Sequence, residues 1–519
     1  MDANGTEPDR ICSARRPGRA IRAHFLHRTA DEEAPLHVPE PLLVAIAVLL
    51  VGAIAACFVD RLGAPTLLLF LGLGMLLGED GPGGIEFDNA TLVRDAGSVA
   101  LALILLEGGV LANVPAVRRV VGPAVMLATV GVLITAGVTS VAAHYALDVG
   151  WFMALLIAAV VSSTDAAAVF AAVRGVGLRH RPESVLELES GVNDPFAAIL
   201  VIGLVEWQQH ASYGVWDGVL LLVQELGLGL AGGVLIGLAA VWLIRRLPLP
   251  SAGIAPVLVV GVALAGYASI TALGGSGLLT AYLIGLAVGD ARIPHAGVVR
   301  GFLQGGAWLA QIGLFVLLGL LVTPSRLPDE GLAPLVVALT LVLVARPLAV
   351  LACTAPFRVP WREQTFLAWA GLRGGVPIVF ATIPIAAGIA GGVRVFDVVF
   401  YVVIVSVATQ GLTLRSAARR LGVVETRPVP TLADLDTATL QTLGAELIEL
   451  RPRDLGIAAG TEIRSVALPG SAIIVAIRRE DALVVPRGQS VLQEDDQLYL
   501  LVERARLGEL QVGLEIAAG

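Results

Sequence analysis

The sequence predicts an all-α polytopic membrane protein of about thirteen transmembrane helices, followed by a small cytoplasmic α/β domain. Hydrophobic residues make up 56% of the chain, charged residues only 15%, and the 59 glycines are spread through the apolar runs. Apolar runs of roughly 18 to 25 residues can cross the hydrocarbon core as helices. Within a bilayer, only a helix or a closed barrel satisfies its own backbone.

The predicted membrane domain covers residues 41–420. Its approximate helical spans are 41–59, 65–78, 96–114, 122–146, 151–173, 188–207, 215–244, 253–273, 278–288, 302–322, 332–355, 366–388 and 396–418. Residues 1–40 contain no apolar signal-peptide core, and we expect them to form a disordered tail.

The distribution of arginine predicts the orientation. Alternate loops carry arginines, for example Arg118 and Arg119, and then Arg245 and Arg246, whereas the loop after the second span is acidic. Because Lys and Arg in short loops accumulate in the cytoplasm, we expect an inner-membrane protein with its N-terminus outside and its C-terminus in the cytoplasm. Six arginines in the first forty residues disagree with that orientation.

Composition argues against several other functional classes. Beyond the arginines that flank the membrane there is no basic patch, so no nucleic-acid partner is expected. The three cysteines, Cys12, Cys57 and Cys353, lack the spacing of a metal site and are interpreted as small apolar residues. We expect no cofactor and no metal other than a transported alkali cation.

Two predicted helices are interrupted by polar, Gly or Pro residues. The fifth contains Ser162 to Asp165, and the twelfth contains Arg373 to Pro377, with Pro384 further on. In two six-helix halves joined by a linker helix, helices five and twelve occupy matching positions. Transporters with inverted repeats bind their substrate at such broken helices near the bilayer midplane.

Residues 431–519 have the composition of a soluble module. Short strand-like runs are separated by turn residues, which predicts a small α/β or β-rich domain without a catalytic constellation. The runs cover residues 445–450, 463–466, 472–478, 482–485 and 497–502.

Several ionisable residues lie inside the predicted membrane spans: Glu107, Asp165, Glu189, Asp194 and Arg373. A charged residue at the bilayer centre costs ~2.5 to 3.5 kcal/mol even on a lenient scale, so such residues usually face a water-filled cavity or an ion path.

Two polar stripes lie on one side of the sixth helix. Glu189 and Asn193 are i,i+4 neighbours, and so are Ser190 and Asp194. Burial disfavours the charged form of Asp194, so a proton and a desolvated monovalent cation become close competitors for it. Asn193 is neutral and orients the site without adding a titrating proton.

Arg373 cannot shed its charge and therefore needs a carboxylate partner inside the membrane. We expect that partner to be Glu189, in a neutral structural pair that leaves Asp194 and Asp165 free to act.

Each of these features also has a structural interpretation. Ser162, Ser163 and Thr164 are small enough to serve only close helix packing. Glu107 fits an interfacial position at a helix end, Arg373 fits a topology charge, and Asp194 fits a purely structural role.

Three motifs carry a resemblance to a known family: Ser-Ser-Thr-Asp at 162–165, Glu-Ser-Gly-Val-Asn-Asp-Pro at 189–195 and Gly-Leu-Arg-Gly-Gly-Val-Pro at 371–377. Together they resemble the electroneutral branch of the monovalent cation/proton antiporters over residues 41–420. Gly-Glu-Asp-Gly-Pro-Gly-Gly-Ile at 78–85, with Phe-Asp-Asn at 87–89, is similar to the bacterial potassium/proton antiporters of that branch.

The tail carries a second, weaker resemblance. Its strand order and the Pro-Arg-Gly-Gln-Ser turn at 486–490 are similar to the C-terminal half of regulator-of-potassium-conductance (TrkA-C type) modules. That fusion favours potassium over sodium, and a small-molecule regulator of the tail is compatible with it.

The family resemblance implies a homodimer in which one helix bundle forms the contact and another moves to expose the site to each side in turn. It implies that Asp194 is the shared proton and cation carboxylate, that Glu189 and Arg373 are a bracing pair and that Glu107 meets Asn193. It also implies that the cation is coordinated with help from Thr164, Asp165 and Ser190. Glu107 departs from the Asp expected before the Gly-Gly pair of the third helix, which puts cavity size and ion preference in doubt.

The leading hypothesis is a secondary antiporter that exchanges cytoplasmic potassium for external protons, with sodium as the alternative cation. An intramembrane aspartyl protease would pair Asp165 with Asp194, but it explains neither Arg373 nor Glu189. A cation channel gated by the tail would need a ring of backbone carbonyls, and no segment like Thr-Val-Gly-Tyr-Gly occurs in the sequence.

Overall fold

The computed structural model describes residues 46–47, 49–54, 66–173, 177–210, 212–291, 293–424, 445–466, 468, 472–479 and 482–503. The chain divides into two compact units, Met1–Val424 and Glu425–Gly519. The predicted tail at 1–40 lies outside the described residues, and the domain boundaries predicted at 41, 420 and 431 stay predictions.

The first unit is built from helices. They are α1 Thr66–Leu77, α2 Ala90–Leu111, α3 Val114–Leu147, α4 Trp151–Ser162, α5 Ala166–Ala172, α6 His180–Gln209, α7 Val215–Arg246, α8 Ile254–Ala272, α9 Gly277–Asp290, α10 Ala296–Leu321, α11 Ala333–Phe357, α12 Trp361–Trp369, α13 Gly375–Ala386 and α14 Gly392–Leu421.

Seven of the helices in the described residues are long and apolar enough to cross a bilayer, namely α3, α6, α7, α8, α10, α11 and α14. Four shorter apolar helices, α1, α4, α9 and α13, accompany them. The predicted polytopic helical architecture is confirmed. The count of thirteen stays a prediction, because the first span is described only in part.

The two predicted interruptions lie where polar and glycine residues replace the apolar run. The fifth predicted span is α4 and α5 with non-helical residues between them, and the twelfth is α12 and α13 with residues 370–374 between them. Three further helices contain a single widened π turn, at Leu127–Gly131 in α3, Leu341–Ala345 in α11 and Val407–Gly411 in α14. Such turns are rare and frequent at functional sites.

Helix α2 is central to the packing, since it contacts α9, α10 and α13. Its approach to α9 depends on glycine. A Cβ at Gly285 would lie 3.0 Å from Cα of Gly109 and still closer to the carbonyl oxygen of Leu106. Small residues let membrane helices pack backbone against backbone, and α2 thereby reaches the helices that carry the polar residues.

The second unit contains a four-stranded antiparallel sheet in the order β1-β4-β2-β3, with β1 Ala445–Leu450, β2 Ile473–Arg479, β3 Ala482–Val484 and β4 Gln497–Glu503. Alternate residues of β4, including Leu498 and Leu500, are buried in its core. The strand predicted at 463–466 is wrong. Ile463–Ser465 is one 3-10 turn, and among the described residues the strand pairing beside it is limited to a single bridge from Glu462 to Val491.

An ion pair between a half-buried arginine and a buried aspartate closes the turn before β4. The guanidinium of Arg479 donates to both carboxylate oxygens of Asp496, at 2.8 and 2.9 Å, and the backbone N–H of Gln493 donates to the same carboxylate. The hydrogen bonds from Arg479 hold the pKa of Asp496 below its ordinary value. The turn at 493–496 is thus fixed to β2.

Gly285→Val should destabilise the membrane unit. The added side chain has no space against α2, and overpacking of this kind costs about 1 to 3 kcal/mol. We expect a lower Tm and a smaller monodisperse fraction in detergent. Gly137→Val is the matched control, because nothing lies within 4 Å of a Cβ at Gly137. Equal Tm values for the two variants would contradict this packing.

Candidate functional site

The first interruption places three polar residues, 163–165, in non-helical backbone. Helix α4 ends at Ser162, and Ser163 adopts φ −65° and ψ 144°. Ser, Thr and Asp side chains compete with helical hydrogen bonds through their own local bonds. Asp165 does so here: its Oδ1 accepts from the backbone N–H of Ala168 at 3.0 Å and so caps α5.

The second interruption crosses the first. The backbone N–H of Asp165 donates to the carbonyl oxygen of Leu372 at 2.9 Å, which joins the two unwound stretches directly. Gly374 makes the crossing possible, because a Cβ there would overlap the carboxylate of Asp165. A glycine at this position therefore lets the two unwound segments approach each other.

Side chains satisfy further backbone groups at the second interruption. Ser406 accepts from the N–H of Arg373 at 3.0 Å and donates to Gln410 at 2.6 Å, and Gln410 donates to the carbonyl of Trp369 at 2.8 Å. Non-helical backbone at membrane depth is tolerated only where such partners or water satisfy it.

Helix α6 holds the first interruption at three points. Ser163 donates to Oδ1 of Asp194 at 2.6 Å, and the amide of Asn193 donates to Oγ1 of Thr164 at 2.6 Å. The hydroxyl of Ser190 donates to the carbonyl of Thr164 at 3.2 Å and accepts from the N–H of Ala166 at 3.3 Å. The Ser163 contact was not among the predicted site contacts. The motif at 162–165 contained the residue but could not show which serine reaches α6.

Asp194, Asp165 and Ser190 line one cavity of about 260 Å³. Glu107 of α2 and Glu187 of α6 line it as well. Asp194 is 3% exposed and Asp165 8%. The volume of the cavity accommodates an alkali cation together with several water molecules.

The structure brings together five of the predicted site residues, namely Asp165, Thr164, Ser190, Asn193 and Asp194. Glu107 lies in the cavity wall, but it does not meet Asn193 as expected, because the amide of Asn193 is directed to Thr164. Glu187 was missed by the sequence analysis, although its spacing of seven residues from Asp194 places it on the same face of α6.

The expected partner of Glu189 is corrected by the structure. Both oxygens of Glu189 accept from the guanidinium of Arg346, one of them at 2.9 Å. Arg346 lies in α11 directly after its widened turn and also donates to the carbonyl of Leu367 at 3.3 Å. As an arginine inside the predicted span 332–355, it carried the same signal as Arg373, but it was not among the predicted site residues.

Arg373 has a different environment from the one predicted. Its Nη1 donates to the carbonyl of Gly371 at 2.9 Å, within its own unwound segment. Nε and Nη2 have no hydrogen-bond partner among the described residues. The side chain is 1% exposed and lies close enough to Glu189 and Arg346 to interact with both electrostatically. The structure therefore places two arginines around one carboxylate, with Arg346 in direct contact.

The sequence matches two protein families. The family described as "Sodium/hydrogen exchanger, transmembrane" matches residues 46–420, and the TrkA-C domain matches residues 447–512.

Curated relatives match nearly the whole chain. A protein of Shewanella oneidensis named K(+)/H(+) antiporter NhaP2 is 38% identical over 483 residues, which is 90% of this chain and 81% of the relative. K(+)/H(+) antiporter NhaP of Alkalimonas amylolytica is 37% identical over 487 residues, covering 92% and 83% of the two chains. Na(+)/H(+) antiporter ApNhaP of Aphanothece halophytica is 29% identical over 59% of this chain and 60% of its own.

Among solved structures, the sodium proton antiporter MjNhaP1 from Methanocaldococcus jannaschii superposes with a TM-score of 0.64. The alignment covers 73% of this chain and 99% of that one at 23% identity. At this identity the likeness shows a shared membrane fold.

Breaking the pair of Glu189 and Arg346 should destabilise the fold. Removing one partner of a buried pair leaves an uncompensated charge and costs about 3 to 5 kcal/mol. We expect Glu189→Gln and Arg346→Gln each to lower the Tm of the purified protein strongly, and the double variant to lose less than the sum of the two. Arg94→Gln, which removes an exposed partner of Asp95, is the control and should change little. A wild-type Tm for Arg346→Gln would contradict the assignment of Arg346 as the partner of Glu189.

Proposed function

The chain belongs to the sodium/hydrogen exchanger family, and from that premise we propose that it exchanges cytoplasmic potassium for external protons. It is a multi-pass membrane antiporter, a secondary transporter rather than an enzyme. The potassium assignment is supported by two relatives named K(+)/H(+) antiporters that align with about nine tenths of the chain. The TrkA-C domain at 447–512 supports it further.

The observation that carries the mechanism is the position of Asp194. Its carboxylate lies in a cavity wall, is nearly excluded from solvent and accepts a hydrogen bond from Ser163. A buried carboxylate is costly as a bare anion, so it holds either a proton or a cation. Because the two compete for the same oxygens, binding of one releases the other, which couples their fluxes.

We assign the neighbouring oxygens to the cation. Ser190 and Asp165 line the same cavity, and Thr164 is held beside them by Asn193 and Ser190. Hard cations take oxygen ligands, and carboxylate, hydroxyl and carbonyl oxygens are all present here. Asn193 adds no charge, so the exchange of one proton for one cation leaves the site electroneutral.

Two carboxylates near Asp194 also hold the helices in position: Asp165, through one of its oxygens, and Glu189. Asp165 caps α5 through Ala168, and Glu189 anchors α6 to α11 through Arg346. The proposed transport cycle moves the unwound segments relative to the rest of the membrane unit so that Asp194 faces each side in turn. In transporters with inverted repeats, one repeat or helix bundle moves largely as a rigid body against the other around the ion site.

Membrane and assembly follow as further parts of the proposal. We place the C-terminus in the cytoplasm and the N-terminus outside, on the arginine pattern of the loops, in the inner membrane of the cell. We propose a homodimer, as the family resemblance implies, and regulation of transport through the TrkA-C domain by a small molecule.

The alternative cation is sodium. One relative is named a Na(+)/H(+) antiporter, although it aligns with a smaller part of the chain and at lower identity than the potassium relatives do. Proton flux measured with potassium, sodium and lithium added in turn separates the two assignments.

Asp194→Asn should abolish exchange. The amide keeps the size of the side chain but can neither bind a proton at neutral pH nor neutralise a cation. We expect cation-dependent proton flux in everted vesicles to fall to background while the variant still assembles with the wild-type elution volume. Asp95→Asn, at an exposed carboxylate of α2, is the control and should retain full flux. Cation-dependent proton flux retained by Asp194→Asn would overturn the proposed role.

A further inference from the structure

A stripe of residues on α6 continues away from Asp194. Glu187, Ser190, Gly191 and Asp194 follow the i, i+3, i+4, i+7 pattern of one helix face, and all four line the cavity. At 1.5 Å per residue, Glu187 lies about 10 Å along the helix from Asp194. Glu187 lies near the N-terminal end of α6, which starts at His180. The arginines around this end predict that it faces the cytoplasm.

Glu187 is without a charged or hydrogen-bonding partner in the part of the chain that the structure describes. It makes no ion pair or hydrogen bond with any described residue, although it is only partly exposed. Arginine and lysine are absent from the described lining of the cavity, whereas four carboxylates line it: Glu107, Asp165, Glu187 and Asp194. Carboxylates in a membrane unit usually pair with a cation or face an ion path, and no described residue supplies Glu187 with such a cation.

Tyr282 of α9 provides a second, independent observation. Its side chain is 2% exposed and lines the same cavity, yet its hydroxyl has no hydrogen-bond partner among the described residues. The ring lies against Gly191, where a Cβ would approach Cζ to 2.5 Å. Tyr282 also lies close enough to Glu187 to interact with it electrostatically. A buried hydroxyl without a partner requires an explanation such as an ion or a water molecule.

The backbone between the two acidic residues offers another oxygen. Pro195 follows Asp194 inside α6 and has no N–H to donate, so the carbonyl of Gly191, four residues earlier, lacks its helical donor. Gly191 lies between Glu187 and Asp194 on the cavity face. Besides the two carboxylates and the Tyr282 hydroxyl, a residue with a freed backbone carbonyl therefore lines the cavity in this interval.

We infer that Glu187 and Tyr282 form an outer cation site in the cytoplasmic access path, where an entering potassium ion binds before it passes to Asp194. This inference rests on the proposed function, because it assumes that the cavity is the ion path. The ligand is a partly hydrated monovalent cation, held by the Glu187 carboxylate and the Tyr282 hydroxyl. An acidic cleft with low-dielectric walls raises the local concentration of cations, so the site improves capture rather than the exchange step itself.

The test separates capture from turnover in proteoliposomes that hold the full-length protein. In Glu187→Gln we expect the apparent KM for potassium on the cytoplasmic side to rise about tenfold at an unchanged kcat, with the KM for external potassium unaffected. Tyr282→Phe should raise the same KM by about threefold, since it removes a neutral ligand rather than a charge. Glu206→Gln is the matched control, because Glu206 lies on the same helix, pairs with His210 and is absent from the cavity lining.

Two results would overturn the inference. One is a cytoplasmic KM in Glu187→Gln and Tyr282→Phe equal to that of Glu206→Gln. The other is a loss of kcat in Glu187→Gln as complete as that in Asp194→Asn, which would make Glu187 part of the exchange site. If Glu187→Gln does not assemble, Glu187→Asp keeps the charge and should raise the KM by less than Tyr282→Phe does. The proposed function fails separately, through exchange that survives in Asp194→Asn.

Discussion

The hydrogen bond from the Asp165 N–H to the Leu372 carbonyl joins two unwound segments inside a helical membrane unit, and the rest of the site depends on it. In the bilayer core there is no water to form hydrogen bonds with backbone groups that lie outside a helix. The crossing is tolerated because Ser406, Gln410 and Ser190 satisfy backbone groups that the two breaks expose, while Asn193 donates to the hydroxyl of Thr164. These polar residues make it possible for extended backbone, and hence ion ligands, to exist at that depth.

Three carboxylates near the crossing differ in function because their surroundings differ. Glu189 faces the guanidinium of Arg346 and is neutralised permanently. Asp165 accepts the N–H of Ala168 and is committed in part to capping α5. Asp194 accepts only a serine hydroxyl among its described hydrogen bonds and borders the cavity. It is the carboxylate whose charge is left for a mobile ion to balance, and the proposed exchange follows from that difference.

Much of this arrangement could be predicted from the sequence, because the cost of polar residues in a membrane marks them. The broken helices, the polar cluster at 189–194 and the strand-rich tail each depart from a long apolar pattern. In the structure the two predicted helices are broken, the cluster lies within α6, and the tail contains the strands. Which side chains contact each other within the site could not be predicted from the sequence. Glu189 contacts Arg346 rather than Arg373, and Asn193 contacts Thr164 rather than Glu107, because helix rotation and the widened turn before Arg346 decide which side chains meet. The 3-10 turn at Ile463–Ser465 was mistaken for a strand for a similar reason, since pairing is set by the register of neighbours and not by local composition.

In the proposed mechanism, the buried carboxylate of Asp194 exchanges a proton for an alkali cation. The most direct measurement counts the protons released when potassium binds to the purified wild-type protein in weakly buffered detergent solution, with a pH indicator and at acidic pH. We expect one proton to appear in solution for each protein molecule whose Asp194 site fills with potassium, and the apparent affinity for potassium to fall as the pH is lowered. Potassium binding that releases no proton and is independent of pH would contradict it.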